Sequence, residues 1–166
     1  LEGNFHLNKG LNGPRDAELR KAGEYFQHAI DADPTCAQAY LGLAAAHHNL
    51  WWNSPEDFGI EQASAKKALE LAPNTPEAHE AVGTIKGEDG DSAGSEEETR
   101  RALALNPNSA SEHEFLAEDL AQRGEMDEAW REAEIAQELD PNQDHLSWAL
   151  HLRGQYDAAI VMLRKT

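Results

Sequence analysis

Alanine and leucine recur along this chain at helical spacing, and the runs stop at prolines. Four segments end this way: HAIDADP at 28–34, KALELAP at 67–73, RALALNP at 101–107 and IAQELDP at 135–141. Pro34, Pro73, Pro107 and Pro141 each close a helix, because proline cannot continue one and forces the residue before it out of helical geometry. The intervals are 39, 34 and 34 residues, which predicts a repeated pair of helices. At the end of the chain Tyr156, Ala159, Ile160 and Leu163 stand at i, i+3, i+4 and i+7, the apolar stripe of an amphipathic helix. Two stretches break the pattern. WWNSPEDFG (51–59) puts Trp51, Trp52 and Phe58 in a turn expected to be short and polar, and KGEDGDSAGSEEET (86–99) is so acidic that its helix pair is expected to be the least stable.

With the proline at repeat position 32, the columns line up. Five places before each proline stand Ala29, Ala68, Ala102 and Ala136, and position 24 holds Phe26, Ala65, Thr99 and Ala133. Position 4 holds Tyr40, His79 and His113, position 7 Leu43, Val82 and Leu116, and position 8 Ala44, Gly83 and Ala117. Small residues are needed where helices of one repeat, or of successive repeats, approach closely. This arrangement resembles the tetratricopeptide repeat, with its W-x2-L-G-x2-Y, A-x3-F and P pattern, over nearly the whole chain. The resemblance implies an all-α helical-hairpin solenoid wound as a right-handed superhelix of about four to five repeats, one domain spanning 1–166. Its repeats would be 1–36 (partial, with an indistinct first helix), 37–75, 76–109, 110–143 and a truncated 144–166. Segments such as EYFQHAIDADP and RALALNPNSA are similar to repeat arrays attached to bacterial transcriptional regulators, adenylate cyclases and kinases.

Composition strengthens the helical reading. There are 27 Ala and 18 Leu against 7 Val and Ile together, a poor supply for a sheet. The balance of 31 acids and 14 bases leaves a charge of −17, a field that repels phosphate backbones and anionic lipid. The densest basic clusters are pairs, such as Lys66–Lys67 and Arg100–Arg101, so neither a nucleic acid nor a membrane partner is expected. The lone Cys36 excludes an intrachain disulfide framework. No apolar run approaches the ~18 residues of a membrane span, and residues 1–20 lack the apolar core of a signal peptide. A soluble segment is expected, with the cytoplasm favoured over an extracytoplasmic setting.

Three motifs invite chemistry and are answered by context. Gly90-Asp91-Ser92-Ala93-Gly94 matches the G-x-S-x-G nucleophile elbow, which requires a strand feeding a strained turn. Helical sequence flanks it on both sides, so a capped turn near Gly87–Gly94 is expected, with Asp91 or Ser92 capping the next helix. Asp89, Asp91 and Gly94 fall at positions 1, 3 and 6 of a calcium loop, yet position 12 is Arg100 where a bidentate Glu is required. Irregular cation binding by Glu88, Asp89, Asp91, Glu96 and Glu97 is the weaker reading beside a solvated charge run. His79-Glu80 and His113-Glu114 begin H-E-x-x-H, but Gly83 and Ala117 stand where the second His belongs. Both histidines share repeat position 4 and are expected to fill an aromatic slot between helices. No catalytic residue, cofactor or metal is expected.

The resemblance also implies that first helices line a concave groove for extended peptides, through repeat positions 2, 5, 9 and 12. Those positions carry Gln38, Leu41, Ala45 and His48, then Glu77, Glu80, Thr84 and Gly87, then Ser111, Glu114, Glu118 and Ala121, and finally, in the shortened unit, Trp148 and His151. Glutamates stand where carboxylate-clamping relatives place Lys, Arg and Asn, so the expected partner is a basic or neutral protein segment. The function expected is a non-catalytic protein-binding scaffold. The alternative is a self-assembling structural unit whose ends stack through Tyr156, Ile160 and Leu163, giving a homo-oligomer or filament.

Overall fold

A computed structural model describes residues 2–11, 15–50 and 55–146, and eight helices account for nearly all of them. They are α1 (Glu2–Leu11), α2 (Arg15–Ala32), α3 (Ala37–His48), α4 (Pro55–Leu71), α5 (Pro76–Glu88), α6 (Ser92–Leu105), α7 (Ala110–Gln122) and α8 (Met126–Leu139). No strand occurs among the described residues. The chain forms two compact units, Leu1–Gly90 with α1–α5 and Asp91–Thr166 with α6–α8. The boundary falls inside the acidic connection, 86–99.

The helix ends follow from local chemistry. Ahead of Pro34, Pro107 and Pro141 stand Asp33, Asn106 and Asp140, whose Oδ1 atoms accept from the backbone N–H of Thr35 (2.9 Å), Asn108 (3.4 Å) and Asn142 (3.1 Å). These side chains build the turn that the proline makes necessary. Asp91 caps α6 by accepting from the Gly94 N–H, and Ser109 caps α7 by accepting from the Glu112 N–H. The turns after α5 and α7 place Gly90 and Gly124 at φ 81°, a left-handed conformation that glycine adopts without a Cβ penalty.

Two expectations need correction. Gly94 lies in the first turn of α6 and not in the connection, which narrows to Asp89–Asp91. Phe58 likewise belongs to the first turn of α4, because Pro55 suits a helix N-terminus and starts the helix early. Trp51 and Trp52 lie outside the described residues.

In the first unit, Ala22, Phe26, Ile30, Ala39, Leu43 and Ala46 form the larger core, and Ala44, Ala65 and Ile85 a second one. The Phe26 ring is clasped by two glycines. A Cβ on Gly42 would come within 2.2 Å of it, and one on Gly3 within 2.9 Å. These glycines let α1 and α3 close on α2, and they explain an α1 that carries no repeat signature. In the second unit Leu116, Leu120 and Ala129 pack together, while Ala117 and Ala133 meet beside Trp130. The small-residue columns are buried at Ala44, Ala117, Ala68, Ala102 and Ala136, whereas Ala29 stays exposed and Ile30 takes its place in the core.

Gly42→Ala is therefore expected to destabilise the protein by about 1–3 kcal/mol through overpacking, even though alanine is the better helix former by ~1 kcal/mol. Urea unfolding measures this. Combining it with Phe26→Leu is expected to recover part of the loss, since the two residues touch.

Candidate functional site

The first-helix positions expected to contact a partner fall on both units, and each unit is described by itself. In the first, Gln38 and Glu77 are exposed, while Leu41, Ala45, His48, Glu80 and Thr84 are half-buried. The Thr84 hydroxyl donates back to the Glu80 carbonyl at 3.0 Å. Burial raises the Glu80 pKa, and neighbouring Glu77 raises it further. In the second unit Ser111 and Glu118 are exposed and Glu114 is half-buried; partial desolvation raises the Glu118 pKa, with Glu114 adding to the effect. Each unit thus carries a pair of glutamates close enough to repel each other. Trp148, His151, Tyr156, Ile160 and Leu163 lie outside the described residues.

A hollow of about 480 Å³ opens between α1, α2 and α3, lined by Phe26, Ala29, Cys36, Gln38 and Gly42 among others. Its wall is mixed, with Glu2, Asn4, Tyr25 and Gln38 beside the apolar residues.

Histidine–carboxylate ties, which no sequence motif announces, recur between paired helices. His6 Nδ1 meets Glu18 Oε2 at 2.6 Å, His47 Nδ1 meets Asp57 Oδ1 at 2.7 Å, and His48 Nδ1 meets Glu61 Oε1 at 2.8 Å. His113 Nδ1 lies 2.6 Å from Glu132 Oε2, and His145 Nδ1 lies 3.0 Å from Glu114 Oε2. Glu18, Asp57 and Glu61 are all buried, and buried acids need such partners. Each tie spans 10 to 31 residues of sequence, so no local spacing marks it, and the signal to look for is a histidine whose acid partner lies on a neighbouring helix.

His79 and His113 are buried as expected, and each has a polar task. Their Nε2 atoms lie 3.0 and 3.1 Å from the carbonyls of Pro73 and Pro107. Histidine thus fills the aromatic slot and also satisfies the carbonyl exposed at the proline turn.

The acidic run of α6 is matched by arginines within its own unit. Arg100 Nε donates to Glu96 at 2.7 Å and its Nη2 to Glu128 at 2.8 Å, Arg123 also pairs with Glu96, and Arg101 pairs with Glu97 and Glu98. Arg123 and Arg100 hold the Glu96 pKa low. Ser92 sits in the first turn of α6 with no strand among the described residues to feed it, so elbow geometry is absent.

Solved structures match nearly the whole chain. TTC0263, a thermophilic tetratricopeptide protein of Thermus thermophilus, superposes with a TM-score of 0.72 at 22% identity, covering 96% of this chain and 78% of that one. A crystal structure of MamA gives 0.70 at 20% identity, covering 90% of this chain and 86% of its own. YrrB, described as a tetratricopeptide protein with an unusual peptide-binding site, gives 0.63 at 21% identity over 96% and 82%. The chain has the tetratricopeptide-repeat fold. No family model matches the sequence, and no curated protein matches it. Within the tetratricopeptide fold, α1 and α2 supply the first hairpin, and α3–α4 and α7–α8 supply hairpins of the same kind.

The Glu18 tie has a pH signature. His6 and Lys9 both donate to this carboxylate and Lys21 adds its charge, so its pKa falls from 4.5 to about 2. A depressed carboxylate stabilises the fold above the unfolded pKa, and that contribution is lost as pH falls toward 2. Thermal unfolding of wild type and Glu18→Gln from pH 7 to 2 is expected to show a gap that is constant above about pH 4.5 and closes on further acidification. A gap independent of pH would assign the effect to packing.

Proposed function

We propose that this chain is a non-catalytic protein-binding scaffold whose first-helix faces take a basic or neutral peptide segment. The observation that carries the reading is the pair of close glutamates on each unit, Glu77–Glu80 and Glu114–Glu118, where partial desolvation and mutual repulsion raise the pKa of half-buried Glu80 and of exposed Glu118. Carboxylates held at a cost to their ionised form gain most from an incoming cation. The overall charge of −17 adds a long-range attraction of the same sign. The tetratricopeptide fold supports the reading, and so does the peptide-binding site described for YrrB. Gln38, Leu41, Ala45, His48 and Thr84 would line the face in the first unit, with Trp148 and His151 contributing from the last repeat. The similarity to arrays attached to bacterial transcriptional regulators, adenylate cyclases and kinases suggests a bacterial context and assigns no activity.

Titrating a Lys/Arg-rich peptide at ~0.01 M and ~1 M ionic strength tests the proposal, because the Debye length shrinks from about 30 to 3 Å between them. Affinity is expected to fall with salt, and Glu80→Gln and Glu118→Gln are each expected to weaken binding by up to about 1 kcal/mol. Salt-independent affinity, or a preference for an acidic peptide, counts against it. Light scattering in the same buffers tests the alternative of end-to-end stacking through Tyr156, Ile160 and Leu163. Growth that increases with salt and disappears in Ile160→Glu/Leu163→Glu would favour that alternative.

A further inference from the structure

His48, Glu61 and Glu88 come from three successive helices, α3, α4 and α5, and their ligand atoms lie within 4.8 Å of one another. His48 Nδ1 is 2.8 Å from Glu61 Oε1 and 3.6 Å from Glu88 Oε1. Ligands held at ~2.1 Å around a tetrahedral cation stand about 3.4 Å apart, so the trio already approaches a first coordination shell. We propose that these three side chains form a binding site for a borderline first-row divalent cation, with Zn²⁺ as its representative.

A second observation points to a missing positive partner. Glu61 is 3% exposed, and although its Oε1 takes the His48 hydrogen bond, its Oε2 is buried with no hydrogen-bond partner. A carboxylate in that position lacks half of its solvation. The surroundings add negative potential. His48 and Glu88 are the last residues of α3 and α5, so two helix C-termini contribute their partial negative charge. A glutamate at such an end is disfavoured unless a cation faces it.

The donor set selects the ion. An imidazole with two carboxylates suits zinc and its neighbours, whereas Ca²⁺ and Mg²⁺ prefer all-oxygen shells of higher coordination number. On binding, His48 Nδ1 gives up its proton to solvent and directs its lone pair to the metal, and Glu61 exchanges a hydrogen bond for a metal bond. Water fills the remaining coordination position. The ion would join α3, α4 and α5 at one point. No local motif announces the site, since one ligand comes from each of three helices, and so it reverses the expectation that the chain holds no metal.

Calorimetric titration of the full chain with Zn²⁺ is expected to show one site, accompanied by a rise in Tm. Co²⁺ is expected to give the visible absorption of a low-coordinate N/O site, and excess Mg²⁺ or Ca²⁺ is expected not to displace Zn²⁺. His48→Gln, Glu61→Gln and Glu88→Gln are each expected to lower affinity by at least about tenfold and to abolish the Tm rise. His28→Gln, an exposed histidine on α2, is expected to change neither. Glu88→Gln sits at an exposed helix end and keeps the test valid if Glu61→Gln fails to fold. The proposal is overturned if the wild type does not bind Zn²⁺, if folded His48→Gln and Glu88→Gln bind as the wild type does, or if Ca²⁺ competes equally.

Discussion

The close approach of helices at small side chains is the constraint on which the rest of this structure depends. Gly42 and Gly3 leave room for the Phe26 ring, and Ala44, Ala65, Ala117, Ala133 and Ala136 allow the other helices to meet. Alanine contacts are tight, but each buries little apolar area, and burial contributes only ~25 cal/mol per Å². A core built this way has few large side chains to fix how one helix slides along another. Polar contacts of defined geometry supply that information.

The histidine–carboxylate ties play this part at several interfaces. A buried ion pair gains little net stability, because desolvation offsets most of its Coulomb attraction, whereas a wrong register strands the acid alone at a cost of several kcal/mol. Glu18, Asp57 and Glu61 therefore act against misaligned packings more than they strengthen the correct one. The ladder of arginines around Glu96, Glu97 and Glu128 belongs to a different regime, whereas Glu98, paired with Arg101, is buried. Its members are mostly exposed, so salt screens them and each contributes modestly.

The repeat architecture can be read from the sequence because proline and small residues act locally. A proline ends a helix wherever it falls, and an alanine column marks a close approach without any knowledge of the partner. The asparagine and aspartate turns beside three of the prolines follow the same logic. What escapes such a reading are features defined by two distant residues. Gly3 and Gly10 weaken a helical pattern when read along the chain, yet each faces a bulky side chain of α2, Phe26 and Leu19 respectively. His48 stands out as a contact candidate through its repeat position, but its neighbours Glu61 and Glu88 lie 13 and 40 residues away on other helices, and nothing local in their own segments distinguishes them from surface acids. Phe58 reads as part of a turn because its segment lengthens the repeat, whereas Pro55 turns that extra length into helix.

The placement of the ties also bears on how such an array can change in length over generations. Four of them, His6–Glu18, His47–Asp57, His48–Glu61 and His113–Glu132, close within a single hairpin. A hairpin of this kind carries its own counter-charges, so duplicating or deleting it as a block strands no buried acid in the neighbour. The seam at Pro34 keeps this property although Arg20 crosses it to stand 3.8 Å from Asp57, because Asp57 retains His47 of its own hairpin. At Pro73 and Pro141 it does not hold, because Glu88 reaches back to His48 and His145 back to Glu114. Insertion at those seams separates residues that answer one another's charge, and the hairpins on either side are inherited together.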